Sequence, residues 1–255
     1  MLDQITPLIL TRDEEANIER TLAQLTWAAD VVVVDSLSTD RTLEIARRFP
    51  NVRLFQRELD SLADQSNFGL QQVRTPWVLL LDADYFVPPA FVEELRVLAP
   101  PPNVRAYRGA FTYAVDGRPL RASLYPPRIV LLQREHARIW QDGHAHRVLA
   151  DGDVGDLETK IVHDDRKSFA RFVERQKKYM RQEAEKIRDA DPRTLSMAGR
   201  VRKLIAIAPF AVVVHTLFVK GLILDGRAGL RYTWERFIAE LILSRELLRM
   251  RDRRS

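Results

Sequence analysis

Four short apolar runs in the first third of the chain alternate with stretches of helical spacing. The runs lie at 5–11, 31–35, 52–55 and 77–82. Apolar residues are consecutive in them, as is typical of strands that are buried on both faces. In the intervening stretches, 14–25 and 39–49, apolar residues recur three or four positions apart, which predicts helices. Strands that alternate with helices predict an α/β fold with a mixed, mostly parallel sheet flanked by helices.

The last third of the chain has a different pattern. Residues 168–188 predict one amphipathic helix. The stretch 204–224 is almost continuously apolar, but Pro209, His215 and Lys220 interrupt it. Because a membrane span needs about 20 uninterrupted apolar residues, we expect helices that lie in the membrane interface. A helical hairpin buried in a soluble domain or in a dimer interface is the alternative.

Charge divides the chain into the same two parts. Residues 166–255 contain 22 Lys and Arg against 10 Asp and Glu, a net charge of +12, whereas residues 1–165 have 18 against 25, a net charge of −7. A basic region predicts an anionic partner, either nucleic acid or a phospholipid surface, and a solvated helical face is the alternative. We therefore predict a catalytic domain at 1–165 and a helical, basic, membrane-associating region at 166–255. The absence of cysteine excludes disulfides and thiolate metal sites.

Polar residues end the apolar runs, and they predict where a ligand binds. Thr11 and Asp35 are the last residues of two runs, and the pair Asp82 and Asp84 lies at the end of a third. In parallel sheets, ligands bind beyond the carboxyl ends of the strands. Two acids separated by one residue on an extended chain point the same way, and Mg²⁺ binds one or two carboxylates together with substrate phosphates. The pattern therefore predicts a metal–diphosphate site, with a capping pair in a loop as the alternative.

Taken together, the motifs resemble those of family 2 glycosyltransferases, which have the GT-A fold. The segments are "LILTRDEEANI", "VVVVDSLSTDRT", "QSNFGL", "VLLLDADYFV" and "IVHDD". Their order and spacing are similar to the branch that includes lipopolysaccharide-core β-glucosyltransferases. The resemblance implies a GT-A catalytic domain with a nucleotide-sugar-binding, Rossmann-like sheet.

The resemblance also implies roles for individual residues. It places Thr11 and Glu14 in the loop that lines the nucleotide pocket, and Asp35 on the nucleobase. Gln65 and Asn67 are expected near the nucleotide. Asp82 and Asp84 form the DxD motif, with Asp84 on the metal and His163 as a second metal ligand. The alternative for His163 is a strand-end histidine bonded to backbone. The expected cofactor is Mg²⁺ or Mn²⁺.

The catalytic base is harder to place, because an inverting transfer needs a group that accepts the proton of the acceptor hydroxyl. The related branch has a glutamate after a histidine, but in "WQDGHAHRVL" Arg147 follows His146. We expect Asp142 to be the base, with His144 as the rival. A simple turn at Asp142 and Gly143 is compatible with either. Arg128, next to a predicted strand, is expected to bind a phosphate of the donor or of a lipid-linked acceptor, with a surface arginine as the alternative.

The function expected from these features is inverting sugar transfer from a nucleotide-diphosphate donor to a glycolipid or lipid-linked saccharide in lipopolysaccharide or other cell-envelope synthesis. We expect the enzyme on the cytoplasmic face of the inner or plasma membrane, peripheral or monotopic, and bound to an anionic surface by its C-terminal helices. Rival functions are polyprenyl-phosphate glycosylation, nucleotidyl transfer and non-enzymatic nucleic-acid binding. The first loop lacks the Gly-rich, basic pattern of nucleotidyltransferases, and interleaved apolar runs in the basic region disfavour nucleic acid. The oligomeric state, including a homo-oligomer, stays open.

Overall fold

The computed structural model describes residues 1–142, 145–191, 193 and 195–252. The chain forms two compact units. The first comprises Met1–Ala114 and Leu124–Arg166, and the second comprises Val115–Ser123 and Lys167–Ser255. The structure thus groups a short internal segment with the C-terminal part. The division into a catalytic and a membrane-associating domain stays a prediction.

The strands, in chain order, are β1 Ile5–Thr11, β2 Val31–Asp35, β3 Val52–Gln56, β4 Trp77–Asp82, β5 Tyr85–Phe86, β6 Val104–Gly109, β7 Phe111–Val115, β8 Arg118–Pro119, β9 Arg128–Gln133, β10 Ala137–Asp142, β11 Ala145–Ala150, β12 Asp153–Asp156 and β13 Ile161–His163. The α-helices are α1 Ile18–Ala23, α2 Thr42–Ala46, α3 Leu62–Gln72, α4 Pro89–Val97, α5 Phe169–Asp189, α6 Met197–Arg202, α7 Ala208–Val214 and α8 Gly226–Asp252.

The first unit is built on a seven-stranded sheet in the order β12-β6-β9-β4-β1-β2-β3. The pairs β1–β2, β2–β3, β1–β4 and β6–β12 are parallel, whereas β9 is antiparallel to both β4 and β6. In a second sheet, β13 pairs antiparallel with β5 and parallel with β7, and β10 and β11 form an antiparallel hairpin. The predicted mixed, mostly parallel α/β sheet is confirmed.

The central strands are buried on both faces, which explains their continuous apolar runs. Ile9 and Val33 belong to the core on one face, together with Phe91 of α4. Leu8 and Val32 belong to the core on the other face. Each of these five side chains is at most 1% exposed. Since successive side chains of a strand alternate faces, only an unbroken apolar run supplies both cores.

The first two helices are shorter than the predicted 14–25 and 39–49, because side chains hold the preceding loops in non-helical conformations. The backbone amide of Asp13 donates to Ser38 Oγ (2.8 Å), and that of Glu14 donates to Thr42 Oγ1 (2.7 Å). Asp13 has a φ of 51°, a left-handed conformation that a helix does not continue. The two loops that leave the carboxyl ends of β1 and β2 are therefore joined to each other.

In the second unit, α5 packs against α8. Ser168 caps α5 by accepting a hydrogen bond from the Arg171 amide (3.4 Å). The core of this unit contains Met180 and Ala184 from α5 and Ala239 and Leu243 from α8. The predicted amphipathic helix at 168–188 is thus present as Phe169–Asp189.

The apolar run at 204–224 is divided into α7, a π-helical turn at His215–Val219 and a 3₁₀ turn at Leu222–Asp225. Within the described part of the chain, no single helix is both long enough and apolar enough to cross a membrane. One pair of helical segments reaches that length and composition together. The pair consists of Ala208–Val219 and Leu222–Arg251, which meet at a bend of 74°.

Candidate active site

The carboxyl ends of the parallel strands bring the predicted site residues to one edge of the sheet. Thr11 lies beside Asp35 in the β1–β2 register, Asp35 beside Gln56 in β2–β3, and Asp82 beside Leu10 in β1–β4. This is the edge at which α/β sheets bind ligands. The strand ends therefore place Thr11, Asp35 and Asp82 on neighbouring strands.

Asp35 organises the loop that follows β2. Its buried carboxylate accepts hydrogen bonds from Thr11 Oγ1 (2.9 Å), from the Ser38 amide (2.8 Å), from Ser38 Oγ and from Gln56 Nε2 (3.5 Å). A carboxylate has about four acceptor sites, so the protein's own donors use most of this capacity. The expected nucleobase contact of Asp35 stays a prediction, and the observed role of the side chain is to fix Thr11 and Ser38.

Glu14, Gln65 and Asn67 also bind other parts of the protein. Glu14 Oε2 accepts a hydrogen bond from Asn17 Nδ2 (2.9 Å). Gln65 is fully buried, and its Nε2 donates to Ser36 Oγ (3.1 Å) and to two backbone carbonyls of the loop after β3. Asn67 Nδ2 donates to the carbonyl of Ile139 in β10 (2.8 Å). These contacts shape the loops around the sheet edge, and contact of the three side chains with a nucleotide stays a prediction.

The two acids of the DxD motif have different partners. Asp82 is the last residue of β4, whereas Ala83 and Asp84 form a turn before β5. The prediction that both acids lie on an extended strand is therefore wrong, because β4 ends two residues before Asp84. Asp82 Oδ2 lies 3.5 Å from Arg128 Nη1, and Asp84 Oδ2 lies 3.2 Å from His163 Nε2.

Both acids nevertheless act on one cluster of buried side chains. His163 lies edge-on to Tyr85, Tyr113 and Tyr125, with ring centroids 5.4, 4.7 and 4.5 Å away. Burial by itself lowers the pKa of His163, but the charge and hydrogen bond of Asp84 and the charge of Asp82 raise it, so that the imidazole has a pKa above its ordinary value. The turn thus keeps both carboxylates within electrostatic range of the imidazole.

Arg128 extends this cluster toward Asp82. Its guanidinium lies 4.8 Å from the ring centroid of Tyr125, and its Nη1 lies 3.4 Å from the hydroxyl of Tyr85. Burial acts to lower the pKa of Arg128, but the two tyrosines and Asp82 raise it above its ordinary value. Arg128 therefore remains cationic at the sheet edge, where it can bind a phosphate.

A buried ion pair that the sequence did not suggest supports the Asp84–His163 pair. The carboxylate of Asp164 is 3% exposed and lies 2.5 Å from Arg20 Nη1 and 3.0 Å from Arg166 Nε. The Asp164 amide donates to the carbonyl of Asp84 (3.1 Å). Because Asp164 directly follows His163, α1 is linked through Arg20 to both members of the pair.

The predicted bases lie at the end of β10 and just beyond it. His144 lies outside the described residues. Asp142 is the last residue of β10, where its backbone pairs with that of Ala145, but the described part of the structure does not include its side chain. Both assignments stay predictions.

The chemistry of the donor set fits a divalent cation. Carboxylate oxygens and an imidazole nitrogen suit Mn²⁺, and carboxylate oxygens suit Mg²⁺. His163 Nε2 lies on Asp84, whereas His163 Nδ1 is buried and has no hydrogen-bond partner in the described structure. Among the described residues, no three acidic or histidine side chains already form a complete metal cluster. That Asp84 and His163 bind a divalent cation stays a prediction.

Comparison with known proteins agrees with this architecture. Residues 8–134, about half of the chain, match the model of glycosyl transferase family 2. The chain is 25% identical over 173 residues to the lipopolysaccharide core biosynthesis glycosyltransferase LpsC of Rhizobium meliloti (strain 1021), a match that covers 62% of each protein. It is 29% identical over 103 residues to the uncharacterized glycosyltransferase YibD of Escherichia coli (strain K12), which covers 38% of this chain and 30% of YibD. These matches span less than two thirds of either relative.

Among solved structures, the chain is similar to the mannosyltransferase PcManGT from Pyrobaculum calidifontis in complex with GDP-Man and Mn²⁺. The TM-score is 0.55 at 19% sequence identity, over 96% of this chain and 87% of that chain. At this identity the similarity concerns the fold. Together with the family match and the sheet described above, it leads to one conclusion: the chain belongs to glycosyl transferase family 2 and has the GT-A fold.

Proposed function

We propose that this protein is a metal-dependent, inverting glycosyltransferase that moves a sugar from a nucleoside-diphosphate donor to a glycolipid or lipid-linked saccharide of the cell envelope. One observation supports this proposal above all. At the carboxyl edge of a family 2 sheet, the largely buried pair Asp84 and His163 lies beside Asp82 and Arg128, whose side chains are 41% and 36% exposed. A pair of metal-binding side chains beside a permanent cation suits a diphosphate, which has negative charge to share with both.

Asp84 and His163 would hold the ion, and Asp82 would lie near the sugar or the water bound to the ion. When bound, Mg²⁺ or Mn²⁺ neutralises charge on a departing diphosphate. Arg128 would bind a phosphate oxygen of the donor directly. The loops after β1 and β2, joined through Ser38 and Thr42, would form the wall of the nucleoside pocket near Thr11 and Glu14.

The acceptor side of the reaction needs a base. In the proposed step the acceptor hydroxyl oxygen forms a bond to the anomeric carbon, the bond from that carbon to the diphosphate breaks, and Asp142 accepts the hydroxyl proton. His144 would be the base if Asp142 is not. Attack from the side opposite the leaving group inverts the anomeric configuration.

The acceptor class is proposed from the similarity to LpsC, whose name places it in lipopolysaccharide core synthesis. The donor class is supported by PcManGT, which binds GDP-Man and Mn²⁺ and has a similar fold. The two proteins are 25% and 19% identical to this chain. The donor base, the sugar and the acceptor are therefore to be identified by experiment.

A thermal-shift screen of nucleotide sugars with and without Mn²⁺ or Mg²⁺ tests the donor and metal parts. A ligand that binds only the folded state raises the melting temperature, and we expect at least one nucleotide sugar to do so only when the ion is present. Asp84→Asn should remove this shift. The matched control Glu93→Gln changes an exposed acid that pairs with Arg96 and should keep it. Stabilisation that persists in Asp84→Asn would refute the metal assignment.

A further inference from the structure

Large apolar side chains are exposed where the chain passes from α7 to α8. This apolar tip consists of Val214, Phe218, Val219, Ile223 and Leu224. Each of its side chains is 48–70% exposed. Large, contiguous apolar patches on a protein surface mark places where it binds another protein or a membrane.

The backbone of the apolar tip forms a bend. Gly221 and Gly226 have φ values of 71° and 58°, left-handed conformations that glycine adopts without strain. The flanking helical segments meet at 74°. Because no single described helix is long and apolar enough to cross a bilayer, the shape suits a segment that enters one leaflet and returns.

The charges around the apolar tip are mostly positive. Residues 200–236 contain seven Lys and Arg and two acids. Both acids are in ion pairs and largely buried: Asp225 with Arg121 (2.9 Å) and Glu235 with Arg231 (3.3 Å), with the carboxylate side chains 11% and 10% exposed. No described carboxylate pairs with Lys220, which lies between tip residues, or with Arg227, which follows the tip. Arg202 and Arg231 pair with acids from outside this range, whereas Lys220 and Arg227 are cations with no paired carboxylate in the described structure.

Aromatic side chains extend the apolar surface. Trp234 is 53% exposed and stacks on Phe237 at 5.5 Å, and Phe237 also contacts Phe210, which is 65% exposed. Exposed tryptophan beside basic residues is typical of the membrane–water interface, because its ring is apolar at one end and polar at the other.

We propose that the apolar tip inserts into the boundary between headgroups and acyl chains of an anionic phospholipid bilayer, with Lys220 and Arg227 at the headgroups. Charge complementarity favours an anionic bilayer over a second copy of the chain as the partner of the tip. A second copy of the chain that covered the tip around a two-fold axis would bring the cations of both copies together, which is unfavourable. An anionic leaflet, such as the cytoplasmic one, provides both the apolar and the charged partner. The proposal does not depend on the enzymatic activity.

Insertion can be measured at a single residue, because the chain contains no cysteine. A polarity-sensitive fluorophore on Val219→Cys should shift to a less polar environment when vesicles containing about 30% phosphatidylglycerol are added. The same label on Val97→Cys, an equally exposed site (76%) on α4, should not respond. Equal responses at both sites, or none at residue 219, would overturn the proposal.

A sedimentation assay tests the tip without a label. Phe218→Ser, Val219→Ser and Leu224→Ser in one variant should weaken binding of the full chain to these vesicles at least about tenfold, since each buried side chain contributes to transfer from water. The matched variant Val97→Ser, Met197→Ser and Leu248→Ser removes three other exposed apolar side chains and should bind like the wild type.

Charge and self-association provide two further readouts. Replacing Lys220 and Arg227 with glutamine should weaken binding to anionic vesicles roughly tenfold or more and leave the weaker binding to phosphatidylcholine unchanged. The membrane assignment would be refuted if the wild-type chain does not bind vesicles and forms a dimer, and if the triple tip variant is a monomer. The tip would then be a protein interface.

Discussion

Substitution of Arg20 tests whether a buried ion pair holds the site together. Asp164 is 3% exposed, and its carboxylate lies 2.5 Å from Arg20 Nη1. Arg20 Nη2 also donates to the Asp164 carbonyl. Arg20→Met keeps the length of the side chain but removes its charge and donors. The carboxylate then retains its ion pair with Arg166, whose side chain is 47% exposed.

Removing one partner of a buried pair costs about 3–5 kcal/mol. Arg20 is partly exposed (21%) and Arg166 remains, so we expect a loss of about 2–4 kcal/mol in the free energy of unfolding. At roughly 2–4 °C per kcal/mol for a unit of this size, the melting temperature should fall by about 4–16 °C. The double variant Arg20→Met with Asp164→Asn should regain at least about 1 kcal/mol, because it leaves no buried charge unpaired.

Calorimetry and guanidinium denaturation of the full chain measure these differences. Arg48→Met is the matched control, because Arg48 pairs with Glu44 on α2 and both side chains are more than half exposed. Exposed pairs contribute about 0–1 kcal/mol. If Arg20→Met is no more destabilising than Arg48→Met, or if the double variant shows no recovery, the Arg20–Asp164 pair does not stabilise the site.

Three further substitutions test packing, the loop after β2 and the base. Gly69→Ala would place a methyl carbon 2.5 Å from Leu8 Cδ1 and should destabilise the protein by about 1–3 kcal/mol in denaturant titrations; unchanged stability would mean that Leu8 has room to move. Thr11→Val removes a donor to the buried Asp35 carboxylate and should cost about 1–3 kcal/mol, whereas a more stable variant would contradict the hydrogen bonding described. Asp142→Asn should lower kcat at least about 100-fold with little change in donor affinity, and a rate near that of the wild type would transfer the role of base to His144 or another group.

The strand ends could be predicted because an unbroken apolar run has few alternative structures. Runs that end in Thr11, Asp35 and Asp82 indicated strands buried on both faces, and the parallel arrangement then brought their ends to one edge. The same reasoning did not predict the turn at Ala83 and Asp84. Strand length depends on packing against the rest of the sheet, which a local pattern does not contain.

Polar contacts between residues far apart in the chain could not be predicted from local sequence patterns. Arg20 and Asp164 are 144 positions apart, and neither the helical position of one nor the strand-end position of the other specifies a partner. The consecutive acids in "IVHDD" at the end of an apolar run were the available signal, because a carboxylate in a buried setting requires a cation. Asp35 shows the converse, since the sequence indicated its place but not that Thr11, Ser38 and Gln56 would occupy its oxygens.

The segment 115–123 was likewise unpredictable from local pattern. It joins the second unit through ion pairs of Asp116 with Arg231 and of Arg121 with Asp225. Surface charges of both signs are common in this sequence, so no feature of the segment itself indicated these partners.

Release of nucleoside diphosphate from a nucleotide sugar measures whether the site at Asp84 catalyses metal-dependent sugar transfer. With the donor that the thermal-shift screen selects, the wild-type protein should release nucleoside diphosphate in the presence of an acceptor and Mn²⁺ or Mg²⁺, and EDTA should stop the reaction. Asp84→Asn should be folded by circular dichroism and should lose at least about 1,000-fold in rate, because the ion and the carboxylate that holds it act on the leaving diphosphate. Undiminished release in EDTA, or by folded Asp84→Asn, would contradict the account.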